Sequence, residues 1–173
     1  MERKDLLGRT SGIVPLAEFK KHPSYPSEKR FLKGPIAIIE CVEEIPCNPC
    51  QTVCNRSVIS VGEPITNLPR LIDQEDLCNG CGQCVVICPG LAIFVVNKTF
   101  SEAEASVALP YEFLPLPKQG DKVTGINRAG VAVCDGYVHR VQSAKAYDRT
   151  SVVTIVVPKE CADDVRFFRA KGE

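Results

Sequence analysis

The chain has 173 residues, 45% of them apolar and 6% aromatic, with no tryptophan, ten cysteines, and 21 Lys and Arg against 21 Asp and Glu. That length allows one or two small domains, and cysteine at about 6% falls short of a secreted disulfide scaffold. No apolar run approaches the roughly 20 residues of a membrane span, and the charged residues 1–12 lack the apolar stretch of a secretory signal, so a soluble, cytoplasmic protein in a reducing, anaerobic cell is expected.

The zero net charge conceals a segregation: residues 1–34 carry eight bases and four acids, 35–100 carry three and seven, and 101–173 carry ten of each. An acidic middle is a poor surface for nucleic acid. Residues 1–34 are punctuated by Pro15, Pro23 and Pro26 and cannot build a core alone. Residues 16–21 allow one or two helical turns, and the rest reads as an extended N-terminal arm. Its bases Lys20, Lys21, Lys29, Arg30 and Lys33 could lie over the acidic middle, dock a partner subunit, or be solvated.

Residues 35–98 read as an α+β unit: a strand at 36–40, a cysteine loop with a short helix running into Cys54, strands at 58–61 and 70–72, a second cysteine loop and helix, and a strand at 92–96. The second loop carries Cys78-x2-Cys81-x2-Cys84-x3-Cys88-Pro89, the spacing in which three thiolates grip one 4Fe-4S cluster and the fourth ligates another. Such a motif demands a second one. Cys47, Cys50 and Cys54 repeat Cys81, Cys84 and Cys88 at an offset of 34 residues, and Ile59 then falls on Ile93. The repeat slips at the leading cysteine, where Cys41-x5-Cys47 replaces Cys78-x2-Cys81, and at Asn55, which stands where the other half has Pro89. A longer loop can still reach one corner of a cubane. Two zinc knots are the competing reading, but they pair two knuckles across a long spacer, not cysteines at successive x2 steps. A disulfide framework fits worse, since cysteines two residues apart pair poorly.

These motifs resemble the two-cluster bacterial ferredoxins over residues 35–98, which implies a ferredoxin-like βαββαβ pseudo-twofold. The resemblance implies two 4Fe-4S clusters with crossed fourth ligands: Cys41, Cys47, Cys50 and Cys88 for one, and Cys78, Cys81, Cys84 and Cys54 for the other. The clusters themselves are expected to supply the core, lined by Ile36, Ile38, Val53, Ile59, Val61, Ile72, Val85, Ile87, Ile93 and Val95. Gly80, Gly82 and Gly90 would let the backbone turn close to sulfur.

Residues 99–118 read as a linker, polar at 101–106 and proline-rich at 110–117. Residues 119–173 read as a small SH3-like β-barrel, with strands at 122–126, 131–134, 137–141 and 151–157. Asp135-Gly136 signals a two-residue hairpin, Asn127-Arg128-Ala129-Gly130 another turn, and a helix from Pro158 would close the barrel on Val165 and Phe168. Cys134 and Cys161 fall there as small buried residues, and His22 and His139 as surface or hydrogen-bonded ones. The adjacent Glu43 and Glu44 read as solvated charge in the ligand loop, not as a catalytic pair.

No dinucleotide fingerprint and no P-loop appears in the sequence, and no catalytic residue suggests itself. Residues 39–50, 88–94 and 109–117 are similar to those of small iron-sulfur proteins from anaerobic bacteria, associated with FAD-dependent dehydrogenases of sarcosine, proline or hydroxyproline type. The resemblance implies a non-catalytic electron-transfer subunit of a heteromeric amino-acid or amine dehydrogenase, with FAD on a partner chain. A free-standing diffusible ferredoxin is the alternative, and a redox-sensing regulatory or nucleic-acid-binding module the second.

Overall fold

A computed structural model of the chain describes residues 13–22, 25–42, 44–73 and 76–171. Residues 1–12, Pro23, Ser24 and Glu43, on which expectations also fell, lie outside the described residues. Among the described residues two short helices come first, α1 (Leu16–Lys21) and α2 (Glu28–Phe31), the second capped by Ser27, whose hydroxyl accepts from the Arg30 amide at 3.2 Å. Then follow β1 (Ile36–Ile39), α3 (Pro49–Val53), β2 (Ile59–Ser60), β3 (Arg70–Leu71), α4 (Gln83–Ile87) and β4 (Ile93–Asn97). Proline at the first turn starts α3, where a missing amide hydrogen costs nothing, and Pro89 follows directly on the cap of α4.

The second half contributes β5 (Glu104–Tyr111), β6 (Lys122–Ile126), β7 (Ala132–Gln142), β8 (Ser151–Pro158) and β9 (Phe167–Ala170). One antiparallel seven-stranded sheet runs in the order β1-β4-β5-β8-β7-β6-β9, and β2 pairs with β3 alone. The structure is thus a mixed α and β fold, mostly antiparallel sheet. Among the described residues no helix is long and apolar enough to cross a membrane.

Four expectations for the second half are corrected. The segment expected as a linker contains β5, which pairs with β8 along its whole length and sits inside the sheet. Its signal was the alternation of Ala105, Val107 and Leu109, all fully buried, which the polar residues and prolines masked. Asp135-Gly136 makes no turn: β7 runs through it, with Asp135 opposite Thr124 and Gly136 opposite Val123. Glycine is required there for close approach, because a Cβ would meet the Val156 carbonyl oxygen at 2.5 Å where β7 passes from β6 to β8. In place of a terminal helix, a single 3-10 turn (Lys159–Cys161) leads to β9, which adds to the edge of β6. Finally, β6 to β9 are not a separate closed barrel but belong to the same sheet as β1 and β4. The turn at Asn127 is as expected: Gly130 has φ +75°, and the Asn127 side chain accepts from the amides of Ala129 and Val131.

The core also differs. β1 and β4 are covered on both faces, so their side chains divide by parity. Ala37, Ile93 and Val95 face the helices and cysteine loops, together with Val58, Ile59, Val61 and Val85. Ile36 and Ile38, expected beside the clusters, point the other way and join Phe31, Phe94 and Val96 in a larger core with Leu109, Val138, Ile155, Val165 and Phe168. Ile72 and Ile87 are exposed. The main apolar core, with Cys78 packed against it, reaches from β1 to β9 because the sheet curls over on itself.

Candidate metal centre

Each short helix carries one buried cysteine, Cys50 in α3 and Cys84 in α4, and each is capped by the last cysteine of its loop, Cys54 or Cys88. In a continuing helix, residues four apart would share a face. Cys54 and Cys88 instead take extended backbone, with ψ of 96° and 109°, and leave their own helix. α3 and α4 pack against each other, so each departing cysteine arrives at the other helix's loop. Cys41, Cys47, Cys50 and Cys88 line one cavity of about 240 Å³, with Val42, Ile45, Pro49 and Ile93. Cys54, Cys78, Cys81 and Cys84 line a second, of about 20 Å³, with Ala37, Val58, Ile59 and Val95.

All ten cysteines are thiols, none in a disulfide. Burial pushes the Cys50 thiol up to about 11, assisted by Cys88, Cys41 and Cys47. Burial pushes Cys84 up to about 12, assisted by Cys78, Cys81 and Cys54. Four thiols gathered in an apolar cup resist ionising together; a bound cationic core reverses that preference, since metal binding displaces the protons. Ala92 donates its amide hydrogen to Cys88 Sγ at 3.4 Å, a donor aimed at sulfur of the kind that stabilises a thiolate ligand. Among the described residues no three His, Cys, Asp or Glu side chains converge as a single metal ion requires. A tetrahedral zinc would need sulfurs about 3.8 Å apart, whereas a cubane offers its thiolates four separate irons. The donor set, four cysteine sulfurs in each of two apolar cups, fits 4Fe-4S chemistry.

Gly80 and Gly82 have positive φ, +66° and +81°, and a Cβ on Gly80 would strike the Pro35 ring at 2.6 Å; Gly90 does not take that conformation. Cys134 lies in β7 and Cys161 in the 3-10 turn, both packed on the main core and outside the cups. Burial, then a hydrogen bond with Cys161, raises the Cys134 thiol to about 12. His139 sits edge-on to Phe100 and Glu44 is exposed, and neither is among the residues lining a cup. The sequence reading passed over Glu40 and Asp73, whose carboxylates are buried in ion pairs beside the leading cysteines. Glu40 was findable as a lone charge closing the apolar run 36–39.

No curated protein and no solved structure matches the chain. Residues 72–94, which hold Cys78, Cys81, Cys84 and Cys88, match the 4Fe-4S binding domain, so this chain carries a ferredoxin-type iron-sulfur domain that binds a 4Fe-4S cluster and serves electron transfer.

Proposed function

We propose that the chain holds two 4Fe-4S clusters, one in each cysteine cup, and passes electrons as the iron-sulfur subunit of a heteromeric, FAD-dependent amino-acid or amine dehydrogenase. The observation that carries the two-cluster reading is the sorting of eight cysteines into two cups that exchange their fourth members. When bound, such a cluster supplies one-electron redox chemistry at a potential set by its surroundings. The chain's own part is to hold the thiolates, to exclude water with Val58, Ile59, Val85, Ile93 and Val95, and to bias the Cys88 sulfur through the Ala92 amide.

Two one-electron centres on one chain suit the two electrons of a reduced flavin, which this reading puts on a partner together with the substrate site. A partner is supported by Phe113 and Leu114, 62% and 86% exposed beside Tyr111 and Phe167 in an open groove. Cysteines used as cluster ligands, with no disulfide among the ten, suit a reducing cytoplasm. One observation favours the alternative of a free-standing ferredoxin: the arm and the C-terminal strands, which a diffusible carrier would not need for docking, are engaged inside this chain by Arg30, Arg128 and Arg166.

Anaerobic purification from the native source, with iron, sulfide and flavin quantified, decides between them. A flavoprotein recovered in fixed stoichiometry is the expected result. A single chain with two clusters and no flavin would leave the free carrier as the function.

A further inference from the structure

We infer that the segments flanking the duplicated cysteine loops brace the two leading cysteines, with Arg30 and Asp73 positioning Cys78, and Arg128 and Arg166 acting through Glu40 to position Cys41. This rests on the reading that each cup holds its own cluster.

The leading cysteine is the ligand that local structure holds least. Cys50 and Cys84 lie in helices, Cys54 and Cys88 cap them, and Cys47 and Cys81 immediately precede them, whereas Cys41 and Cys78 sit in irregular chain further upstream. Something beyond the loop must fix them.

For Cys78 the brace is direct. Arg30 of α2 is 7% exposed and its Nε donates to Asp73 Oδ2 at 2.8 Å, while its Nη2 donates to the Cys78 carbonyl at 2.6 Å. The other carboxylate oxygen of Asp73 accepts from the amides of Leu77 at 2.6 Å and Cys78 at 3.2 Å. One ion pair thus holds both backbone polar groups of a ligand residue. The guanidinium is oriented in turn by the carbonyls of Gly34 and Pro35. Lysine could not reproduce this fork.

For Cys41 the brace acts one residue away. Glu40 Oε1 accepts from Arg166 Nε at 2.6 Å and from Arg128 Nη2, and Oε2 accepts from Arg128 Nε at 2.8 Å. The Glu40 amide donates to the Ala92 carbonyl at 2.8 Å. Arg128 is held by the Asp163 carbonyl and Asp164 Oδ1, and Arg166 by the carbonyls of Ala162 and Val165. These arginines lie beyond β6 and just before β9, at the far edge of the sheet from β1. The sheet's curl brings its two edges together at the entrance to the first cup. In neither brace does the arginine touch a cysteine sulfur; these are positioning residues, of the outer-shell kind whose loss costs about 10–100-fold in metal affinity.

The test compares Arg30→Met, Asp73→Asn, Arg128→Met and Arg166→Met as full-length, anaerobically reconstituted proteins, with Lys29→Met, exposed on the same helix as Arg30, as the charge control. Cys54→Ser and Cys88→Ser supply reference electron paramagnetic resonance spectra for each centre alone. Iron release to a chelator should quicken about tenfold or more from the second cup in Arg30→Met and Asp73→Asn, and from the first cup in the Arg128 and Arg166 variants. Lys29→Met should match the wild type. Independently of any cluster, hydrogen exchange at the Leu77 and Cys78 amides should accelerate in Asp73→Asn, which keeps the side-chain volume should Arg30→Met fail to fold. A wild type with only one cluster overturns the two-cluster reading and the brace left without one. A wild type with two, whose Arg30 variant loses both centres or only the first, or whose Asp73→Asn leaves those amides protected, overturns the proposal alone.

Discussion

The two cysteine loops meet one requirement with different means. The second is short, with two residues between Cys78 and Cys81, and its cup is tight at about 20 Å³. The first has five residues between Cys41 and Cys47 and a cup of about 240 Å³. The short loop is held from the N-terminal side by a guanidinium on a ligand's own carbonyl; the long one is held from the C-terminal side by two guanidinium groups on the carboxylate before the ligand. On the two-cluster reading proposed above, a repeat that duplicates its cysteines has a separate support for each copy. Segments that looked like appendages are part of the architecture of the cups.

The largest expected effects come from the exchanged cysteines. Cys54→Ser should remove roughly half the iron, all of it from the cup of Cys78, Cys81 and Cys84, and Cys88→Ser the other half. If Cys54→Ser instead silences the centre beside Cys41, the pairing of loops with cups is wrong.

The braces come next. Glu40→Leu leaves the buried Arg166 without a carboxylate and Arg128 with Asp164 alone, and should cost about 3–5 kcal/mol. Asp73→Asn keeps volume and leaves Arg30 with three carbonyl acceptors, so a smaller cost of about 1–3 kcal/mol is expected. Urea titrations of both variants measure the contrast; equal costs would remove the distinction between a double and a single brace.

Gly136→Ala probes the sheet that carries the Cys41 brace. Its new methyl would press on the Val156 carbonyl, and overpacking of this kind costs about 1–3 kcal/mol. Chelator-induced iron loss should then quicken at the first cup before the second. A neutral outcome would fit a hairpin turn at Asp135-Gly136 better than a continuous β7.

The smallest effect is a pH dependence at Asp163, whose carbonyl supports Arg128. Burial alone would raise its carboxyl, but hydrogen bonds from Lys20 and Lys98 outweigh it and hold the group below its ordinary 3.8. Asp163 therefore contributes stability above the ordinary carboxylate range, which is lost as pH falls through its lowered folded value. The gap in thermal midpoint between wild type and Asp163→Asn should be steady from neutrality to about pH 5 and close on further acidification. A gap that widens in acid would reverse the sign.

The site was legible to the extent that chemistry imposes spacing. Cys78, Cys81, Cys84 and Cys88 announced a cluster, the repeat at Cys47, Cys50 and Cys54 announced a second set, and the structure gathers these thiols into two cups. The fold was legible only where pattern and punctuation agreed, as in the strands of residues 35–98 and the turn at Asn127. Where they conflicted, punctuation misled. Prolines hid β5, and Asp135-Gly136 imitated a turn because glycine serves a hairpin and a close backbone crossing equally well. Val165 and Phe168 were placed in the core correctly but in a helix that is in fact the approach to β9 and the strand itself, since burial is easier to read than the element that achieves it.

By itself, then, the sequence determined which cysteines are candidate donors and how they are spaced along the chain, because a cubane accepts few ligand types and short loops admit few spacings. Tertiary structure alone decided which face of β1 meets the cups, that one sheet spans both halves, and that Arg30, Arg128 and Arg166 stand behind the leading cysteines. Those are matters of strand parity, sheet curl and ion pairs joining residues from 43 to 126 positions apart, and no local pattern encodes contacts at that separation.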